Sequence, residues 1–359
     1  MKILITAPSL ETSKNVSGIS TVVNTIIANN VDHEYTHYLL GRPDQSNSLT
    51  YLFVFIRQLM FFPIILKREK IELVHQNLPF DPKGLMRESV INFWCYLFNV
   101  PVVLHIHGGA FLMQKNPKKI WRFLSSALFK HSRQVLVLSE LEQAALLSFH
   151  NFGGAIVLSN SIAVSDYLYN LRQPINEPPV FLFLGRLHES KGLDDIYDAF
   201  CVLKQQLLSF RFVLCGSGPL MESVKSKFEK LLGSDFDFRG VVSGEDKVAA
   251  FIDSDFFLLP SRYGEGLPMA LLESMASGLI PIVTDDASMK FLVHHNQNGI
   301  RVDKRSGKDI AEKITALLSV DHEYLTQLRL SAVKTIVGSY DIKAYVKKLN
   351  MIYAGDFTI

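Results

Sequence analysis

Apolar residues in this chain follow two alternating patterns. Short, nearly unbroken runs occupy residues 2–7, 34–40, 71–76, 102–107, 134–139 and 155–158, then 180–184, 210–215, 236–239, 255–259, 279–284 and 300–302. Runs of this length, bounded by turn residues, predict buried strands. Between them apolar residues recur every three or four positions, as in Ile19, Val22, Val23, Ile26 and Ile27, which would share one helix face. Strands alternating with helices predict parallel sheets covered on both faces, an α/β fold of the doubly wound kind. Further helices are predicted over 308–318, 322–337 and 342–353.

One stretch interrupts the alternation. Residues 171–179 read LRQPINEPP, and their three prolines predict a linker between domains at 1–172 and 173–339. A length of 359 residues lets each half bury its own core, and 48% hydrophobic against 20% charged residues argues against disorder. Cys95, Cys201 and Cys215 are odd in number and lack C-x-x-C spacing, so neither a disulfide framework nor a zinc site is predicted, and a reducing cytosol fits. The opening MKILITAPS reads as a strand, and no signal peptide is expected. Residues 51–66 (YLFVFIRQLMFFPIIL) are too short for a membrane span and contain Arg57 and Pro63, so they predict a buried or interfacial helix. Lys and Arg outnumber Asp and Glu by 16 to 11 in residues 1–172 and fall short by 21 to 24 in 173–359. That asymmetry argues against nucleic-acid binding and is compatible with an anionic membrane surface or a phosphate-bearing acceptor.

Candidate chemistry concentrates in residues 258–278, LLPSRYGEGLPMALLESMASG. A strand runs into a Gly-Glu-Gly loop, and Pro268 tolerates a first helical turn, predicting a helix over about 267–277. An anion could sit at its free N–H groups, with Glu265 beside it. Glu273, separated from that glutamate by seven residues, could accept from two adjacent ribose hydroxyls. Earlier in the same half, Arg186 and Lys191 follow a strand in G-R-x-x-x-x-K-G, a guanidinium fork and an ammonium suited to a diphosphate. Gly216-x-Gly218-Pro219 lacks the third glycine of a dinucleotide fingerprint. In the first half, Gly18 sits at a loop-to-helix junction after the first strand, and PVVLHIHGG places His107 where strand meets loop, with His105 read as structural. Residues 111–130 interleave Lys115, Lys118, Lys119, Arg122 and Lys130 with Trp121, Phe123 and Phe129, a pattern suited to an interfacial helix on anionic lipid.

Pro260, Ser261, Glu265-Gly266-Leu267-Pro268 and Glu273, together with Arg186 and Lys191, resemble the signature of the retaining nucleotide-sugar glycosyltransferases of GT-B fold, family 4. The resemblance covers nearly the whole chain and is strongest over 183–278. It implies two Rossmann-like doubly wound domains facing across a cleft, with segment 340–359 returning to the first domain. The first domain would bind the acceptor and the second a UDP- or GDP-linked sugar. It further implies that Arg186 and Lys191 face the diphosphate, Glu265 holds the donor sugar's hydroxyls and Glu273 clamps the ribose. Gly216, Gly266, Leu267 and Pro268 would contact the donor, the backbone near Val241 the base, and His107 and Gly18 the donor from the first domain. The family usually has Gly-Gly where this chain has Ser17-Gly18, so only Gly18 is carried over.

No Asp-x-Asp is placed for a metal, because Asp253-Ser254-Asp255 precedes a strand, so no cofactor and no divalent cation are expected. The implied reaction is retaining sugar transfer to a saccharide or polyprenyl-linked acceptor in surface polysaccharide synthesis. Its setting would be cytoplasmic, peripheral on the inner face of the cell membrane. A sugar-nucleotide epimerase and a catalytically silent partner subunit share the fold and remain alternatives. An NAD dehydrogenase is disfavoured by the absence of G-x-G-x-x-G after a first strand.

Overall fold

The structure, a computed structural model, describes residues 1–11, 17–41, 48–108, 111–115, 117–167, 174–263, 265–286 and 288–356, with the backbone alone described for 48–53. Contacts divide the chain into two compact units, one formed by Met1–Ser161 with Ile342–Ile359 and the other by Ile162–Asp341. The first crossing falls ahead of the proline-bearing stretch, of which 171–173 lie outside the described residues. Residues 162–167 join the second unit through local bonds: Ile162 donates its N–H to the Tyr340 carbonyl, and the Tyr167 hydroxyl reaches Glu273.

The first unit runs β1 (Lys2–Ala7), α1 (Gly18–Asn29), β2 (Glu34–Leu39), α2 (Ser48–Arg68), β3 (Leu73–Leu78), α3 (Pro82–Leu97), β4 (Val102–Ile106), α4 (Lys119–His131), β5 (Gln134–Val137), α5 (Glu140–His150) and β6 (Ala155–Val157). Its sheet has the order β2-β1-β3-β4-β5-β6, and every pairing is parallel. β3 lies two residues beyond its predicted place. Ile71 is spent on closing the turn after α2, donating to the Leu66 carbonyl, while the polar Asn77 extends the strand through bonds to Thr6.

In the second unit come β7 (Val180–Leu184), α6 (Leu193–Gln205), β8 (Arg211–Cys215), α7 (Met221–Leu232), β9 (Phe236–Gly240), α8 (Gly244–Ile252), β10 (Phe256–Leu259), α9 (Met269–Ala276), β11 (Ile280–Thr284), α10 (Met289–Leu292), β12 (Ile300–Val302), α11 (Gly307–Leu318) and α12 (His322–Ser339). Its parallel sheet has the order β12-β11-β10-β7-β8-β9. Counted from β7, that is the 3-2-1-4-5-6 order of dinucleotide-binding folds, whereas the first sheet has the other doubly wound order, which starts 2-1-3. Phe181, Phe200, Phe210, Phe212 and Phe256 are all fully buried around the middle of the second sheet.

The last helix, α13 (Ile342–Ala354), packs on the first unit. Its Asn350 accepts from Asn30 at 2.7 Å, and the Tyr353 hydroxyl lies 2.6 Å from His75 Nδ1. Among the described residues no helix is long and apolar enough to cross a membrane.

Candidate functional site

Ligands of doubly wound sheets bind beyond the carboxyl ends of the strands, where the order reverses. In the second sheet that point lies between β7 and β10, and the loops leaving these two strands carry Arg186 and Lys191 on one side and Glu265 on the other.

Two glycines set how close these loops come. Gly192 has φ +73°, and a Cβ there would lie 2.1 Å from the Pro260 carbonyl oxygen, so only glycine lets the Lys191 loop lie against the start of the Glu265 loop. Gly216, with φ +136°, would place a Cβ 1.8 Å from the Gly185 oxygen, which packs the loop after β8 onto the one after β7. This packing is reason enough for glycine at 216, independent of any donor contact.

The paired loops are cross-tied. Arg262 grips Asp195 with two bonds of 2.8 Å and gives its backbone N–H to the Ser190 carbonyl. The Tyr263 hydroxyl donates to Glu189 at 2.7 Å. So held, Lys191 Nζ reaches Glu265 Oε1 at 2.5 Å, and the same oxygen accepts from Ser261 Oγ. Glu265 is 7% exposed, and its backbone N–H faces Asp286, whose other oxygen is paired with Lys304.

Glu273 sits on α9 and is 2% exposed. Its Oε1 accepts from Lys247 Nζ at 2.6 Å and from the Tyr167 hydroxyl at 3.1 Å, while Oε2 is buried with no partner among the described residues. Because a buried carboxylate oxygen seeks a donor, Oε2 is the atom of this site that is ready to accept one. Pro268 is the N-cap of α9 rather than a residue of its first turn, since its ψ of 126° is extended, and its carbonyl accepts from the Leu271 N–H. Gly266 is half-buried and Leu267 buried, while Arg186 and Val241 are exposed beside their strands.

In the first unit, Gly18 opens α1, and a Cβ built on it meets nothing within 4 Å. His107 lies just past β4. Its backbone N–H donates to the Leu78 carbonyl, and Nε2 lies 2.6 Å from Asn77 Oδ1. Loss of hydration, then the nearby His105 and His75, holds the ring well below the usual imidazole range. His105 is a fully buried core residue, 3.3 Å from His75 Nε2.

Sequence reasoning missed Asn77, Tyr167, Lys247 and Asp286, each brought to a candidate residue from a different strand, loop or helix. No motif announces them. Among the described residues no three His, Cys, Asp or Glu side chains converge as metal ligands.

Two parallel sheets, one with its strand reversal lined by these charged loops, define the GT-B class of fold. HepE of Anabaena, solved in complex with UDP-glucose, superposes with a TM-score of 0.74 at 14% identity over 99% of both chains. Residues 171–334 match the family described as glycosyl transferases group 1. The amylovoran biosynthesis glycosyltransferase AmsK of Erwinia amylovora is 29% identical over 184 residues, 48% of this chain and 44% of its own. An Escherichia coli UDP-Gal:alpha-D-GlcNAc-diphosphoundecaprenol alpha-1,3-galactosyltransferase is 25% identical over 315 residues, 80% of this chain and 76% of its own. The chain spans about half the length of the leading curated relatives it matches.

Proposed function

We propose that the protein transfers a sugar from a UDP- or GDP-linked donor to a lipid-linked saccharide in surface polysaccharide synthesis, with retention and without a metal ion, as a family 4 enzyme. The observation that carries this reading is the buried Glu273 with one oxygen bonded and the other without a partner among the described residues, together with the Lys191–Glu265 pair at the strand reversal. When the bond from the anomeric carbon to phosphate breaks, negative charge grows on the diphosphate. Arg186, Lys191 and the N-terminus of α9 supply the opposing charge. Glu273 Oε2 accepts from the ribose, and Glu265 holds hydroxyls of the donor sugar. Gly266, Leu267, Pro268 and the backbone near Val241 complete the donor contacts, and His107 and Gly18 keep the donor-facing roles implied by the family. The acceptor oxygen bonds to the anomeric carbon, and its proton passes to the leaving phosphate.

Support for a nucleotide-sugar donor comes from the likeness to HepE, and for a lipid-linked acceptor from the name of the Escherichia coli relative. A peripheral membrane position is supported by the first unit's surface. Met86, Val90, Phe93 and Leu97 form an exposed apolar stripe along α3, with Met60 and Ile64 of α2 and Phe123 of α4 also exposed. Residues 48–131 hold 11 Lys and Arg against 4 Asp and Glu, so this apolar surface lies in a basic stretch suited to anionic lipid.

The test is calorimetric titration of UDP, GDP and ADP with EDTA present, into the wild type and Glu273→Ala. Saturable binding of one nucleotide, weakened in the variant, is the expected result. No binding with or without magnesium would overturn the donor site.

A further inference from the structure

We infer that Asn77 is a positioning residue for His107, fixing its ring as the Nε2–H tautomer so that His107 meets its ligand at Nδ1 as a hydrogen-bond acceptor. The ligand group facing it is then a hydroxyl rather than a phosphate. This deepens the donor-facing reading of His107 and rests on it.

The argument starts from the amide. Asn77 is 2% exposed at the end of β3, and its Nδ2 donates to the Thr6 carbonyl at 2.8 Å while its backbone N–H donates to Thr6 Oγ1 at 2.9 Å. A carbonyl oxygen can only accept, so the Thr6 bond settles which end of the amide is which and turns Oδ1 to His107. Oδ1 is itself an acceptor, so the His107 Nε2 that lies 2.6 Å away must carry the hydrogen.

A neutral imidazole has one hydrogen, which leaves Nδ1 with its lone pair. Nδ1 makes no bond to any described residue, and His107 as a residue is only half-buried. Placing a charge on the ring is opposed by its surroundings. The His105 ring lies 4.3 Å away between centroids, and its Nδ1 is committed to His75. His75 Nδ1 in turn meets the Tyr353 hydroxyl of α13, and Tyr353 accepts from Tyr35 at 3.5 Å. Behind His107 lie the linked side chains of His105, His75 and Tyr353, with no carboxylate bonded to the imidazole among the described residues. A neutral ring offering a lone pair repels phosphate oxygens and accepts from an O–H.

The test is the side-chain 15N spectrum of histidine-labelled full-length protein at neutral pH, with His107 assigned by Gln substitution. A pyrrole-type Nε2 and a pyridine-type Nδ1 are expected. In Asn77→Ala both resonances should move toward the average of exchanging tautomers, while the His75 and His105 signals stay in place as a check on the fold. Added pyrophosphate should leave the His107 signals unmoved. An Nδ1–H or doubly protonated His107 in the wild type, an unchanged spectrum in Asn77→Ala, or a pyrophosphate-induced shift would each overturn the inference. Failure of the transferase reading itself would appear separately, as absent nucleotide binding with the tautomer intact.

Discussion

Lys191 and Glu265 are each other's partner, with Nζ 2.5 Å from Oε1. The two residues proposed to face different parts of the donor therefore neutralise one another. Removing either leaves the other poorly matched as well as removing a contact. Lys191→Ala and Glu265→Ala should each lower transfer by about 100-fold or more, the size seen when one group stabilising transition-state charge is deleted. Because the pair acts as a unit, the double variant should lose far less than the product of the single losses. Nucleotide release measured on all three variants would check this, and fully multiplicative losses would mean that the two side chains act independently.

The two oxygens of Glu273 differ in their surroundings, Oε1 accepting from Lys247 and Tyr167 and Oε2 having no partner among the described residues. Lys247→Met strips the ion pair from a carboxylate that is 2% exposed, and should cost about 3 kcal/mol in urea unfolding, as expected for breaking a buried pair. Glu273→Gln keeps the shape of the side chain. It should weaken nucleotide binding about tenfold or more, the worth of a hydrogen bond to a charged acceptor. Unaltered affinity in that variant would remove Glu273 from the nucleotide site.

Gly192 and Gly18 should respond in opposite ways to one added methyl. Gly192→Ala meets the Pro260 carbonyl at a positive φ and should destabilise the second unit by about 2 kcal/mol or more. Gly18→Ala meets nothing within 4 Å and should leave the melting temperature unchanged or slightly raised. If backbone at Gly18 approaches the donor, transfer nevertheless falls. Thermal unfolding beside activity separates the two glycines, and normal activity in Gly18→Ala would end its ligand role.

Stability should depend on pH through Glu142, which lies in α5 and is 1% exposed. Burial pushes its carboxyl up from 4.5 to about 7, against the opposing bond from the Leu138 N–H. Between those values the folded form holds a proton that the unfolded chain releases. Its contribution is therefore full below 4.5, declines as pH rises through that window, and levels off above about 7. The total fall is on the order of 3 kcal/mol. Glu142→Gln should flatten this part of the curve in urea titrations from pH 4 to 8, and an unchanged slope would place the proton elsewhere.

For the membrane contact, Phe93→Asp on the exposed face of α3 should reduce co-sedimentation with anionic liposomes, as should joint replacement of Lys118, Lys119 and Arg122 by Gln. High salt should weaken wild-type binding in part, leaving the apolar share. Unchanged sedimentation of both variants would remove the first unit's surface from membrane binding.

Much of the architecture was legible because strand-forming runs are local. The predicted 180–184 and 300–302 coincide with β7 and β12, since an apolar run between turn residues has few other ways to be buried. Boundaries moved for two reasons, a long-range bond at β3 and local backbone geometry at α9. β3 extends to Leu78 because Thr6 satisfies Asn77, and the helix predicted from 267 begins two residues later, at Met269, because Pro268 remains extended. Motif spacing likewise singled out Arg186, Lys191, Glu265 and Glu273 without revealing that Lys191 and Glu265 pair.

The sequence by itself determined the alternation of strands and helices, the glycines that only close loops require, and the residue types available for phosphate and hydroxyl recognition. Tertiary structure decided the strand orders, the return of α13 to the first unit, and the partners that orient each candidate side chain. The physical reason is that periodicity is set by neighbours a few residues apart, whereas a hydrogen bond such as Asn77 to His107 or Lys247 to Glu273 joins residues whose separation along the chain carries no pattern.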